Sequence, residues 1–145
     1  MPDLVDELQR VPLFDGLSRR QLKKLARAFK EREFRPGRTV VRQDHMDGVG
    51  FFVIVEGDAI VLVDGQQLGT LAPGDYFGEL AMISKRERAA TVVAVSQLRC
   101  LVMPFWDFRS FAQDNPELCW KLLQRLADLL VDAQSRLAQA TARAG

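Results

Sequence analysis

The chain has 145 residues, enough for one domain with its own hydrophobic core. It is 48% hydrophobic and 27% charged, the texture of a folded globular domain. Twenty basic residues against nineteen acidic ones leave no cationic excess of the kind a nucleic-acid binder needs, and no apolar run reaches the ~20 residues of a membrane span. A single histidine, His45, and no Cys-x-x-Cys exclude the usual metal-ligand sets, so no metal and no catalytic residue is assigned. His45 lies in an expected turn, Asp44 to Gly48, with no nucleophile positioned against it. Cys100 and Cys119 sit among apolar neighbours and read as two buried thiols in a reducing, cytoplasmic setting. Residues 1–10 carry four charges and no apolar core, which is not a secretory signal.

In chain order, Val11-Pro12-Leu13-Phe14 is a short apolar plug that Pro12 keeps from continuing as helix. Ser18 reads as the N-cap of a helix with Leu22, Leu25, Ala26 and Phe29 on one stripe. Its basic run, Arg19-Arg20 and Lys23-Lys24, reads as a solvated helix face. Residues 1–30 thus form an N-terminal helical segment. From 31 to 103 the texture turns to short Val-, Ile- and Phe-rich runs between Gly, Pro and Asp turns. Strands are expected over 39–43, 50–55, 59–63, 67–71, 90–95 and 98–102, with Asp64-Gly65 as a tight hairpin. The expected fold is mainly β with flanking helices: an eight-stranded jelly-roll-like β-barrel, an N-terminal helix, a short hinge helix and a long C-terminal helix.

Helical spacing returns over 104–145. Phe105 to Phe111 forms a short helix, and Asn115-Pro116-Glu117 reads as N-cap, proline at the first helical position and an acid in the first turn. The long helix carries Leu118, Leu122, Leu126, Leu129, Ala133, Leu137 and Ala140 at heptad-like spacing, which suits a parallel dimer seam. Trp106 and Trp120 are expected in the core beside Phe105, Phe108 and Phe111. No helix-turn-helix pattern follows, so direct DNA reading is not expected.

One segment breaks the strand texture. From Phe77 to Val92 a glycine and a carboxylate open a Leu-Ala-Met-Ile stretch, and a charged loop then leads to Arg88 and two alanines. An arginine fork grips a phosphate with two hydrogen bonds, glycine and alanine let backbone approach closely, and a carboxylate accepts from a sugar hydroxyl. As composition alone, the same residues would make an ordinary solvated turn. The order Phe77-Gly78-Glu79, Ala81-Met82, a five-residue loop, then Arg88-Ala89-Ala90 and Val92 resembles the phosphate-binding cassette (77–92) of the cyclic-nucleotide-binding domain family, of the catabolite activator protein and cAMP-dependent protein kinase regulatory subunit type. Gly48, Phe51 to Ile54 and Gly57 also match that family, whereas His45-Met46 depart from its usual glycine and acidic or amide residue.

The resemblance covers roughly residues 10 to 140 and implies roles. Arg88 would pair with the cyclic phosphate and Glu79 would accept the ribose 2′-hydroxyl. Gly78, Leu80 and Ala81 would contribute through the backbone, and Ala89 and Ala90 would line the phosphate. A Ser or Thr after the arginine favours guanine in this family; with Ala89 the expected ligand is cAMP rather than cGMP, and no cofactor. Ala133, Gln134 and Arg136 are the candidate base lid. The implied function is a non-enzymatic sensor, residues 1–145 as one cyclic-nucleotide-binding domain, which couples ligand to movement of the C-terminal helix and acts on an effector protein. The alternatives are the receiving part of a larger transcription factor, channel or enzyme, and a cupin-like β-barrel enzyme, against which the single histidine counts.

Overall fold

Short runs between turn residues form eight described strands, arranged in two antiparallel four-stranded sheets. The structure, a computed structural model, describes residues 4–43, 50–78 and 90–144. It divides into two units, Met1–Ser110 and Phe111–Gly145.

The first unit opens with helix α1 (Leu4–Gln9), which buries Val5 and Leu8, and a 3-10 turn (Pro12–Phe14). Val11, Leu13 and Phe14 are buried, as the apolar plug requires. Helix α2 (Arg19–Ala28) starts where Ser18 predicts. The Ser18 Oγ accepts from the Gln21 amide at 3.1 Å, and the Ser18 amide donates to Gln21 Oε1 at 2.8 Å, a reciprocal cap that satisfies two amides left open at a helix start. Leu22 and Leu25 are buried, while Arg20, Lys23, Lys24 and Arg27 share the opposite, exposed face.

The strands are β1 (Lys30–Phe34), β2 (Thr39–Val41), β3 (Gly50–Glu56), β4 (Ala59–Val63), β5 (Gln66–Leu71), β6 (Tyr76–Phe77), β7 (Thr91–Ala94) and β8 (Leu98–Pro104). One sheet has the order β1-β8-β3-β6 and the other β2-β7-β4-β5. A single core cluster takes residues from all eight: Phe34, Val41, Phe52 and Ile54, Ala59, Leu71, Phe77, Val92 and Ala94, and Leu98 and Cys100. Two sheets that share one core form a jelly-roll-like sandwich. The Asp64-Gly65 hairpin forms as expected between β4 and β5, with φ of 51° and 79° at its two residues, the positive values of a type I′ turn.

Strand β3 is apolar without alternation because both its faces are covered, and Gly50 to Ile54 are all buried. Phe52 and Ile54 enter the sandwich. On the other face Phe51 is the hub of an aromatic cluster, with ring centroids 6.4 Å from Phe29, 5.4 Å from Tyr76 and 4.7 Å from Phe108. Phe29 in turn meets Phe14 at 6.2 Å. Such offset contacts add about 0.5–1.5 kcal/mol each beyond the area they bury.

One charged group stands inside this unit. Arg99 on β8 is 15% exposed and donates to Glu7 of α1 at 2.6 Å and Glu31 of β1 at 2.8 Å, with Glu56 of β3 at 3.1 Å. Burial alone would lower its pKa. The hydrogen bonds from Glu31 and Glu7, the Glu7 charge and the Glu56 bond outweigh that and hold it above the ordinary arginine value.

In the second unit the chain finishes helix α3 (Phe105–Asp114) and forms helix α4 (Pro116–Ala144). Helix α3 runs three residues past the expected end at Phe111. Asn115 is buried between the two helices, its Nδ2 donating to the Phe111 carbonyl at 2.7 Å. Leu118 and Leu122 are buried, but Leu123, Leu130, Val131 and Leu137 are exposed. Trp106 and Trp120 are 70% and 59% exposed, contrary to the expectation that they enter the core. Each lies two residues from a buried neighbour (Trp106 from Phe108, Trp120 from Leu118 and Leu122), hence about 200° around its helix from it. Cys119 is half-buried rather than buried, its thiol donating to the Ala112 carbonyl at 3.0 Å.

Candidate functional site

The candidate segment lies between β6 of one sheet and β7 of the other. Its first end is β6, held by the Phe77 ring, which stacks on Phe52 at 4.8 Å with 9° between planes. Gly78 follows at φ 98°, a backbone conformation that residues with a Cβ rarely adopt. A glycine is therefore required where the chain turns out of β6. The second end is Ala90, half-buried, which leads into β7. There Val92 is buried and pairs with Val41 of β2 and Val61 of β4. Thr91 Oγ1 accepts from the Gln43 amide at 2.9 Å. Gln43 in turn clasps the β4–β5 hairpin, accepting from the Asp64 amide at 2.8 Å and donating to Asp64 Oδ1 at 3.0 Å.

Of the residues assigned from the sequence, Gly78 and Ala90 are thus placed at the two roots of the segment. Glu79, Leu80, Ala81, Arg88 and Ala89 lie outside the described residues, as does His45. The candidate lid residues Ala133, Gln134 and Arg136 lie on α4 in the second unit, each exposed. A helix-surface position is what their small or polar side chains would adopt without any ligand.

Gly57, matched on sequence, has a definite structural role. Its φ is 85°, and a Cβ built there would lie 2.2 Å from the Gln97 carbonyl oxygen. The glycine lets the β3–β4 turn pass against the backbone that precedes β8. Sequence reasoning missed Arg99, whose signal is a lone charge between Leu98 and the apolar run Cys100 to Met103. Among the described residues no group of three or more His, Cys, Asp or Glu side chains could hold a metal ion, and no helix is long and apolar enough to cross a membrane.

Comparison with known proteins adds to this geometry. A family model described as the cyclic nucleotide-binding domain matches residues 31–115. The chain is similar to the cAMP-dependent protein kinase regulatory subunit of Mycosarcoma maydis, 44% identical over 91 residues, which cover 60% of this chain and 17% of that one. It thus spans less than a fifth of the length of that relative. Among solved structures it resembles the catabolite activator protein of Thermus thermophilus, with a TM-score of 0.80, 26% identity, and cover of 90% of this chain and 63% of that one. The regulatory subunit of a cAMP-independent protein kinase A from Trypanosoma brucei has the same fold, with a TM-score of 0.74, 24% identity, and cover of 86% and 44%. The fold by itself therefore does not decide the ligand.

Proposed function

This chain belongs to the cyclic nucleotide-binding domain family, and from that premise we propose that it is a cAMP-responsive regulatory module rather than an enzyme. The observation that carries the reading is the run from Phe77 to Val92, with every element of the phosphate-binding cassette in order, rooted in the sandwich through Gly78 and Ala90. Arg88 grips the cyclic phosphate with its planar fork, and Glu79 accepts from the ribose 2′-hydroxyl. The backbone of Gly78, Leu80 and Ala81 approaches the ligand, with Ala89 and Ala90 beside the phosphate. Ala89 offers no hydroxyl to a guanine, which supports cAMP over cGMP. Ala133, Gln134 and Arg136 are assigned to the base side.

Residues 1–145 act as one ligand-responsive domain in this reading. Occupancy shifts the population of two placements of the helical segment 104–145, by no more than the difference in ligand affinity between them. The exposed Leu123, Leu130 and Leu137, seven residues apart, support a homodimer seam on α4. An effector protein reads the change, and the module works in the cytoplasm without a cofactor. The small share of its relative that the chain spans also favours a second reading, a receiving part of a larger regulator.

The test is a calorimetric titration of nucleotide-free protein with cAMP and with cGMP. Tighter binding of cAMP is expected. Arg88→Ala should weaken it by roughly thirty-fold or more, since losing one partner of a desolvated charge pair costs ~2–5 kcal/mol. Equal affinity of the variant would reject the assignment of Arg88, and binding of neither nucleotide would reject the reading itself.

A further inference from the structure

A cleft of about 300 Å³ lies in the first unit, lined by Glu7, Arg10 and Val11 at the end of α1, Ile54 and Val55 of β3, and the Pro73-Gly74 turn. Among the described residues, none of those assigned to the nucleotide lines it. Its volume is at the lower end of the range for small-molecule sites, about 300–1,000 Å³.

The electrostatics of the cleft are unbalanced. The Glu7 side chain is only 10% exposed, and its Oε2 accepts from Arg99 at 2.6 Å. Among the described residues Glu7 Oε1 accepts no hydrogen bond. A carboxylate oxygen on so largely covered a side chain favours a donor. Arg99 does not neutralise the site, because Glu31 and Glu56 share the same guanidinium. Glu7, Glu31 and Glu56 share the one Arg99 guanidinium, and together with Arg10, which lines the cleft with Glu7, these five groups carry one net negative charge. The one open oxygen is too little for magnesium or calcium, which need about six oxygen ligands. The walls beside it, Val55 and Pro73, are apolar.

We propose that this cleft is a second ligand site that takes a small organic monocation, an alkylammonium or alkylguanidinium. Its head donates to Glu7 Oε1, and its stem lies on Val55 and Pro73. The same chemistry belongs to a free small amine and to a lysine or arginine side chain of a partner protein.

The experiment is a backbone-amide NMR titration of the full chain with n-butylguanidinium, n-butylammonium, N-acetyl-arginine amide and, as the control of opposite charge, butyrate. Shifts confined to Glu7, Arg10, Val55 and Gly74, saturating in the millimolar range with the cations and absent with butyrate, are expected. Binding of N-acetyl-arginine amide as tightly as n-butylguanidinium assigns the site to a partner's side chain; its exclusion assigns it to a free small cation. Glu7→Gln should weaken binding about tenfold, the worth of a hydrogen bond to a charged group. Arg10→Ala removes an exposed like charge and should tighten binding about twofold; it decides the matter if Glu7→Gln does not fold. Equal shifts with butyrate, no saturation by any cation, or weaker binding in Arg10→Ala would overturn the proposal.

Discussion

Gly57 shows how much a single position can carry. Its positive φ and the 2.2 Å approach to the Gln97 carbonyl exclude any side chain without movement of backbone. Gly57→Ala should therefore cost about 3 kcal/mol, combining left-handed strain with overpacking, read as a lower urea midpoint at unchanged slope. A midpoint within error of the parent would show that the turn relaxes freely. Cys100 makes a second case. Burial pushes its thiol up to about 12, offset in part by the charge of Arg32, from an ordinary value of 9.0. The folded state holds the proton more tightly than the unfolded one. Stability from this group is thus complete below about pH 9 and is lost as the pH rises toward 12. Between about pH 8 and pH 10.5 the parent should lose more stability than Cys100→Ala, and iodoacetamide should modify the half-buried Cys119 first. Equal losses in parent and variant would remove Cys100 from the account.

At the scale of elements, what could be read in advance depended on whether an element's own residues specify it. Helix α2 has a cap, an apolar stripe and a charged face, so its start and register were legible from Ser18 onward. The Val- and Ile-rich strands and the Asp64-Gly65 hairpin were legible for the same reason. Strand β1 was not, because Lys30-Glu31-Arg32-Glu33 is a charged run that is strand only through its pairing with β8. Strand β6 has two residues, too few for any period, and its Tyr76-Phe77 is recognisable only beside β3. Helix α1 is six residues long and is held by Val5, Leu8 and the Arg99–Glu7 pair rather than by propensity. That pair gives a test. Arg99→Leu alone leaves Glu7 as a buried carboxylate without its partner and should cost about 3 kcal/mol, whereas Arg99→Leu with Glu7→Leu should recover most of it. Additive losses in a denaturation cycle would mean that the pair does not couple α1 to β8. The candidate nucleotide segment from Phe77 to Val92 stands out in the sequence because its order of residues is long and specific, whereas Ala133, Gln134 and Arg136 are residues that any exposed helix carries.

For the molecule as a whole, the exposed leucines of α4 set the question of assembly. Leu123, Leu130 and Leu137 are 56%, 59% and 69% exposed, and they are the stripe that the proposed homodimer would cover. Sedimentation at tens of micromolar should find dimers, and Leu130→Glu should return them to monomers by placing like charges across the seam. A parent chain that is monomeric at that concentration would rule the seam out. The pairing of β1 with β8 has another consequence, for how the chain reaches its fold. Lys30–Phe34 opens the sandwich and Leu98–Pro104 closes it, yet they lie side by side from Lys30↔Val102 to Phe34↔Leu98. The loop between them comprises every other strand, so its closure entropy is met before that ladder repays any of it. The β1–β8 ladder is thus expected to form late in folding, and a nascent chain that has emerged only as far as Ala94 still lacks the strand with which β1 pairs.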